Sequence, residues 1–375
     1  MTAPGRKKVL VAGASGLIGH AAVNEFARRG DWDVVGVSRR TPGDVDGATL
    51  LSVDLMDPGA CRRVFGAMSD VTHLVYAALY EQPGRLLEGW LEREQMERND
   101  AMLRNLFEPL AAAAANLEHI SVLQGLKAYG THAGFLPPPI PAVERSPRVE
   151  HENFYWLQED YLRGKQATER FSLTIWRPHI VFGADVGNNM NPMAALGAYA
   201  VLLREEGRPL DFPWGEPTVF QAVDVELFAR ALVWAATSSA SHNETFNFAN
   251  GDVFTIREVW PAVADAMGME VGEDRPASLA AWLPAQRETW AALVDRHGLR
   301  APRNLDAFLG QSAMYCDGLF GQPYGWPLLM STIKLRQAGF AECVDTELMF
   351  RRLLAKMQDD RLLPPVDSTR GALAG

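Results

Sequence analysis

The stretch KKVLVAGASGLIGHAAVNEFARRG, Lys7 to Gly30, leaves few folds open. A short apolar run ends in glycine. Gly13, Gly16 and Gly19 are spaced three apart, and helical periodicity begins among them. A continuous apolar run of this length suits a parallel strand buried on both faces. Glycine at a strand–helix junction permits a tight turn. It also lets the backbone approach a pyrophosphate, which sits where a helix N-terminus leaves amide hydrogens free. A bare glycine triplet is a weak signal, but this one follows a strand and opens a helix, the context that dinucleotide binding requires.

The pattern then repeats. DVVGVSRR from Asp33, TLLSVDL (Thr49 to Leu55), VTHLVYAAL (Val71 to Leu79), HISVLQG (His119 to Gly125) and SLTIWRP (Ser172 to Pro178) read as strands, with a long helical stretch from Arg85 to Asn116. Strands alternating with helices imply an α/β fold, a Rossmann-type doubly wound parallel sheet. Beyond Gly183 the alternation stops, and the chain becomes mostly helical and rich in Trp, Met and Phe. A chain of 375 residues has room for one large α/β unit and a smaller appended one. The expected division is a nucleotide-binding domain over 1–185, with 219–253 returning to it. A smaller, mostly helical C-terminal substrate domain would take 186–218 and 254–365, and 366–375 would be a loose tail. The proline-rich FLPPPIPAVERSP (Phe135 to Pro147) reads as a loop between the fifth strand and the helix after it.

A net charge of −10 gives no generic pull toward nucleic acid or anionic lipid, so any bound anion needs a local basic site. Three cysteines without C-x-x-C spacing indicate neither a disulfide framework nor a metal site. The N-terminal MTAPGRKK lacks the apolar region of a secretory signal, and no run reaches the roughly 18 apolar residues of a membrane helix. A reduced, cytoplasmic setting is expected.

The second strand selects the dinucleotide. An NAD enzyme usually ends it with an acidic residue that binds the ribose 2′-OH. Here it ends in Ser38-Arg39-Arg40, and Asp31 and Asp33 stand at the wrong end. Two arginines at that place suit a 2′-phosphate, so the expected cofactor is NADPH. Asp54, at the end of the third strand, is placed to reach the adenine edge, and reads equally well as a turn residue.

NFYWLQEDYLRGK, Asn153 to Lys165, offers two tyrosines for the chemistry. A carbon that accepts hydride next to a carbonyl leaves charge on oxygen, which needs a donor. A tyrosine with a cation beside it can serve. Tyr161 and Lys165 have the Y-x-x-x-K spacing, but only eleven residues separate Tyr161 from the strand entering at Ser172. That is too short for a helix crossing the depth of the sheet and its turn. From Tyr155 there are seventeen, about 25 Å if helical. Asn153 is a good N-cap before it. Tyr155 is therefore the candidate acid, and Tyr161 with Lys165 reads as an ordinary helical pair. The lysine near the end of the fifth strand, where the cofactor binds, is Lys127 in LQGLKAYG. Taken alone, a lysine there reads more readily as a surface residue.

The glycine motif, GVSRR, VTHLVYAA, NDAMLRN, ISVLQGLKAYG, NFYWLQED, WRPHIVFG and NFANGD occur in that order. Together they resemble the progesterone 5β-reductase and iridoid synthase family, atypical extended short-chain dehydrogenases/reductases. The likeness runs from about Lys8 to Phe340, and its most specific parts are L-Q-x-x-x-K and N-F-Y-x-x-x-E-D. It implies a catalytic pair of Tyr155 and Lys127. Where the family motif usually has a second tyrosine, this chain has Trp156. The resemblance implies NADPH-dependent reduction of the activated C=C bond of enones, a small apolar substrate and a homodimer. The expected cofactor set is Gly13, Ser15, Gly16, Leu17, Ile18, Gly19, Ser38, Arg39, Arg40, Asp54, Leu55, Ala77, Ala78, Gln124, Lys127, Tyr155, Pro178 and Ile180. Tyr155 would also touch substrate, and Phe340 would add an aromatic wall. The loop from Thr131 to Pro147 differs in length and composition from that of steroid-active members.

Two other readings share these residues. The same pair would serve reduction of a ketone or aldehyde, or the reverse alcohol oxidation. A non-catalytic NADPH sensor would be expected to lack the pair. His179 reads as a structural or cofactor-loop residue, Asn99 as a helix residue that caps or packs, and Glu92, Glu94 and Glu97 as a solvated helix face.

Overall fold

The computed structural model describes residues 6–41, 45–86, 88–133, 139–215, 218–322 and 325–366. The alternation is present as β1 (Lys7–Ala12), α1 (Leu17–Arg29), β2 (Trp32–Ser38), β3 (Ala48–Ser52), α2 (Pro58–Phe65), β4 (His73–Tyr76), α3 (Arg93–Ala113), β5 (His119–Leu123), α4 (Phe154–Lys165) and β6 (Ser172–Pro178). Then come β7 (Ile180–Phe182), α5 (Pro192–Glu205), β8 (Leu210–Phe212), β9 (Ala222–Asp224), α6 (Val225–Thr237), β10 (Thr245–Phe248), α7 (Ile256–Ala266) and β11 (Val271–Asp274), with further helices after them.

Seven strands form one sheet in the order β10-β6-β5-β4-β1-β2-β3. Every pairing in it is parallel. β1 lies between β2 and β4, so the strand order reverses there, and such sheets bind ligands beyond the carboxyl ends at the reversal. The apolar run of β1 is accounted for by this central place, since Val9, Leu10, Val11 and Ala12 are wholly buried. One face of the sheet is covered by Cys61 and Phe65 of α2, Leu103, Leu106, Phe107 and Leu110 of α3, and Leu162 of α4. α1 and α6 pack on each other and against β2 and β5.

The chain divides into two compact units, one of residues 1–179, 225–249 and 330–342, the other of 180–224, 250–329 and 343–375. The first differs from the expected division, since 180–185, 219–224 and 250–253, expected in it, fall in the second, and 330–342 joins it. β7, expected to close it, pairs instead with β9 inside the second unit. Residues 330–342, assigned by sequence to the second unit, belong to the first, where Met330 bridges to Ala142 and Lys334 Nζ donates to the Thr245 carbonyl at 2.9 Å. Within the second unit, α5 is almost wholly buried, and β8, in a stretch that reads as a loop, forms a short parallel pair with β11, in one that reads as helical. The long helix expected from Arg85 begins at Arg93, after a 3₁₀ turn over Glu88–Leu91. Of the proline-rich loop, residues 134–138 lie outside the described residues, as do 367–375 of the expected tail. Among the described residues no helix is long and apolar enough to cross a membrane.

Candidate active site

Two of the three glycines are required by the fold. Gly13 has φ 88°, and a Cβ there would lie 2.7 Å from the carbonyl group of Ala77 and 2.8 Å from the amide nitrogen of Ala78. A Cβ on Gly19 would come within 2.1 Å of the Gly13 oxygen. Gly16 is different: its nearest neighbour would be that same oxygen, at 3.3 Å, and its φ is −88°. The protein's own packing presses least on Gly16, so the bare backbone there leaves an approach to the start of α1. Gly16 is the N-cap, and no side chain caps the helix. Ser15, Leu17 and Ile18 complete this turn. Uncapped amides, a helix start and a cradle that a Cβ would narrow fit a pyrophosphate.

At the end of β2 the side chains of Arg39 and Arg40 are exposed, while Ser38 and Ser52 hold their backbone. The Ser38 hydroxyl donates to the Arg40 carbonyl, and Ser52 Oγ donates to the Arg39 carbonyl at 2.9 Å. Among the described residues neither guanidinium has an ion-pair partner, so both can meet an anion. Asp54 is exposed, and its Oδ1 accepts from the Met56 amide at 2.9 Å, as in an ordinary turn. The Leu55 side chain is buried, and its carbonyl accepts from Asn105 at 2.8 Å.

The structure brings Lys127 and Tyr155 to one aromatic cluster from two different elements. Lys127 sits in a 3₁₀ turn, Leu126–Tyr129, just past β5. Tyr155 is in the first turn of α4, whose N-cap Asn153 accepts from the Tyr155 amide at 3.0 Å. Between them stands Trp90, 1% exposed. The Lys127 ammonium lies 3.9 Å from the centroid of its ring, and the rings of Phe154 and Tyr155 lie 5.0 and 5.6 Å from it. Burial pushes the Lys127 ammonium down to about 8, with the Glu81 carboxylate opposing. The indole face also favours its charged form. A Cβ on Gly125 would sit 3.2 Å from the Tyr155 hydroxyl and 3.5 Å from the Pro178 carbonyl, so Gly125 leaves the room that holds this phenol over the ends of β5 and β6. A lysine and a tyrosine so placed can serve a developing oxyanion and the cation that supports its donor. Sequence reading passes over Trp90, because EGWLERE looks like a solvated acidic face. Its one hint is a tryptophan in that segment.

The Y-x-x-x-K pair faces elsewhere. Tyr161 donates to Glu108 on α3 at 2.5 Å, Lys165 donates to the same carboxylate at 2.9 Å, and the Arg104 guanidinium stacks 4.0 Å from the Tyr161 ring. Burial and the bond to Glu108 push the Tyr161 phenol well above its usual range. Those bonds, from Tyr161 first, hold Glu108 below the usual carboxylate range.

Gln124, expected near the cofactor, spends its side-chain amide inside the protein. Nε2 donates to the buried Glu159 at 2.8 Å, and Oε1 accepts from Arg177 Nε at 3.0 Å. Burial would raise Glu159, but the bonds from Gln124 and Arg163 and the charge of Arg148 outweigh it and hold the carboxyl low. Asn99 is fully buried and pins the loop after β4, with Oδ1 accepting from the Tyr80 amide at 2.8 Å and Nδ2 donating to the Tyr80 carbonyl at 2.9 Å. Phe340, expected as a pocket wall, is a core residue of the first unit. It is 4% exposed, with its ring 5.8 Å from Trp234 and 6.0 Å from Phe248. A core phenylalanine and a wall phenylalanine look the same in sequence. Pro178 ends β6, the His179 amide donates to Phe248, and Ile180 opens β7 opposite Ala222.

A parallel sheet with a glycine turn after its first strand is the dinucleotide-binding form of the doubly wound fold, and the sequence relatives narrow it to the extended short-chain dehydrogenases/reductases, NAD(P)-dependent enzymes. The chain belongs to the NAD dependent epimerase/dehydratase family, whose profile matches residues 9–249. It is 29% identical to the (S)-8-oxocitronellyl enol synthase of Camptotheca acuminata over 95% of this chain and 93% of that one. It is 29% identical to the 3-oxo-Δ(4,5)-steroid 5-β-reductase of Arabidopsis thaliana over 78% of each. These relatives bear out the resemblance to the progesterone 5β-reductase and iridoid synthase family. Among solved structures, the UDP-glucose 4-epimerase of Thermus thermophilus, in complex with NAD, superposes with a TM-score of 0.63 at 21% identity, over 94% of this chain and 99% of that one. At that identity the likeness speaks for the fold alone.

Proposed function

We propose that this protein reduces the activated C=C bond of enones with NADPH, using Tyr155 and Lys127. The observation that carries the proposal is the meeting of the two side chains around Trp90 at the carboxyl ends of β5 and β6. The names of the curated relatives, an enol synthase and a Δ(4,5)-steroid 5-β-reductase, support it. Gly16 and the uncapped start of α1 would hold the pyrophosphate, with Gly13, Ser15, Leu17, Ile18 and Gly19 shaping the turn. Arg39 and Arg40 would take the 2′-phosphate, and Ser38, Asp54, Leu55, Ala77, Ala78, Pro178 and Ile180 would contribute chiefly backbone. A nicotinamide held there would supply hydride for the β-carbon of the enone.

The residues of the chain do the rest. As the C=C π electrons move toward the carbonyl, negative charge gathers on its oxygen, and the Tyr155 hydroxyl donates a hydrogen bond there. The Lys127 ammonium favours the ionised phenol and so makes Tyr155 a better acid. A proton taken from water at the α-carbon then converts the enolate to the saturated ketone. The second unit is read as the substrate-binding part, and the reading also includes a reduced, cytoplasmic setting and a homodimer. The three cysteines, all free, suit the setting.

The test follows NADPH oxidation with small cyclic enones, linear enals and simple ketones and identifies the products. Saturated ketone from an enone is expected. Allylic alcohol would mean a carbonyl reductase instead, and NADPH binding with no turnover on any of these would favour a sensor.

A further inference from the structure

In this protein the candidate tyrosine and its lysine lie on separate elements, so something must hold their spacing. We propose that Asn153 is the positioning residue that does so, a role which rests on the pair proposed above. Its side chain ties both partners at once. Oδ1 accepts from the Tyr155 amide at 3.0 Å, and Nδ2 donates to the Lys127 carbonyl at 3.3 Å. The second hydrogen of that amide is also engaged. Asn153 Nδ2 lies 3.2 Å from His151 Nε2, and His151 Nδ1 lies 3.0 Å from the Val149 carbonyl. A carbonyl can only accept, so Nδ1 carries the ring proton and Nε2 accepts from Asn153. The orientation of the amide is thereby fixed from three sides, and Asn153 is 4% exposed.

A helix cap alone needs only the acceptor, which Asn, Asp and Ser supply about equally. The two donors go beyond capping, and they point to the turn that carries Lys127 and to the loop before α4. Glu159, one turn beyond Tyr155 on α4, and Gln124, just past β5, form a second tie. Where the ordinary pattern would place a lysine, this chain has Glu159, which joins α4 to β5 while the cation comes from the far side of that joint.

The experiment compares Asn153→Asp, Asn153→Ser and Asn153→Ala in the full chain. It measures melting temperature, the dissociation constant of NADPH by fluorescence, and kcat and KM separately with an enone that the wild type reduces. Asp and Ser keep the cap and lose the amide donors. If Asn153 positions the pair, kcat falls about 10- to 100-fold in both, because small misplacements of reacting groups are costly. Melting temperature and KM then stay near wild type. Ala loses cap and ties, so kcat and melting temperature both fall. Wild-type kcat in Asn153→Asp or Asn153→Ser would overturn the proposal and leave Asn153 a helix cap. Should the carboxylate of the Asp variant disturb folding, the neutral Ser variant decides. Tyr155→Phe, run alongside, separates the failures. If it keeps full turnover, the proposed pair is wrong. If it loses turnover while Asn153→Ser does not, only the positioning role is wrong.

Discussion

Helix α4 carries two tyrosines six residues apart, and their surroundings are opposite. Tyr161 donates its hydrogen bond to Glu108, and the nearby Lys165 turns to that carboxylate as well. A phenol bonded to a carboxylate is held as a phenol, which is the wrong direction for an acid that must release its proton readily. Tyr155 is 6% exposed in a wall of aromatic rings, and the cation of its neighbourhood stands on the face of Trp90. Spacing along a helix says little about chemistry when a neighbouring helix can claim both side chains. What counts is which partner the third element brings.

Removing each hydroxyl in turn separates the two tyrosines. Tyr155→Phe should lower kcat by about 10²- to 10³-fold, the usual cost of an oxyanion donor. Steady-state NADPH oxidation with an accepted enone checks it, and retained turnover would sink the assignment.

Next in size is a pH effect tied to Lys127. Burial takes this group from its ordinary 10.5 down to about 8, so between these values the unfolded chain binds more protons than the folded one. The cost of burying the charge, about 3 kcal/mol, is fully present below pH 8 and is relieved as pH rises toward 10.5. Stability relative to Lys127→Met should therefore rise over that window in the apo protein, as denaturant titrations would measure. Turnover should fall over the same window, because the ammonium is lost. A flat difference in stability would mean that Lys127 is not buried as a charge.

The arginines at the end of β2 are expected to matter less. Replacing Arg39 and Arg40 together by Ala should weaken NADPH roughly 10- to 100-fold and leave NADH almost unchanged, since solvent screens these exposed guanidiniums and their joint contribution is on the order of one charged hydrogen bond, about 1.5–3 kcal/mol. Fluorescence titration with both cofactors reads the ratio, and equal loss for both would remove the 2′-phosphate role. The smallest effect belongs to Tyr161→Phe, which should cost about 1 kcal/mol of stability through the lost bond to Glu108 and change kcat by less than about twofold. A large loss of turnover there would reverse the assignment of the two tyrosines.

Much of the site was legible because its signals are local. A glycine needed for a turn, a helix cap and two arginines at a strand end are decided by neighbours in sequence. The length left between Tyr155 and Ser172 was enough to rank the tyrosines, because a crossover helix must span the sheet. Trp90 was not legible. Its value lies in receiving Lys127 from 37 residues away, and its own surroundings in the chain are acidic and polar. Gln124 looked like a cofactor residue because it sits at a strand end. Its amide is consumed by Glu159 and Arg177, each from a different element. The surroundings of Phe340 were not legible either, since its burial against Trp234 and Phe248 is a tertiary fact.

The sequence by itself determined the doubly wound sheet and the glycine turn, through period and glycine placement; helix length put Tyr155 first, and Lys127 came from the family resemblance. Tertiary structure alone decided which side chains face one another. Backbone geometry is set by short-range sterics that a sequence displays. The partner of a buried charge or amide is set by packing across elements, and at Lys127, Gln124 and Asn153 that partner comes from another part of the chain.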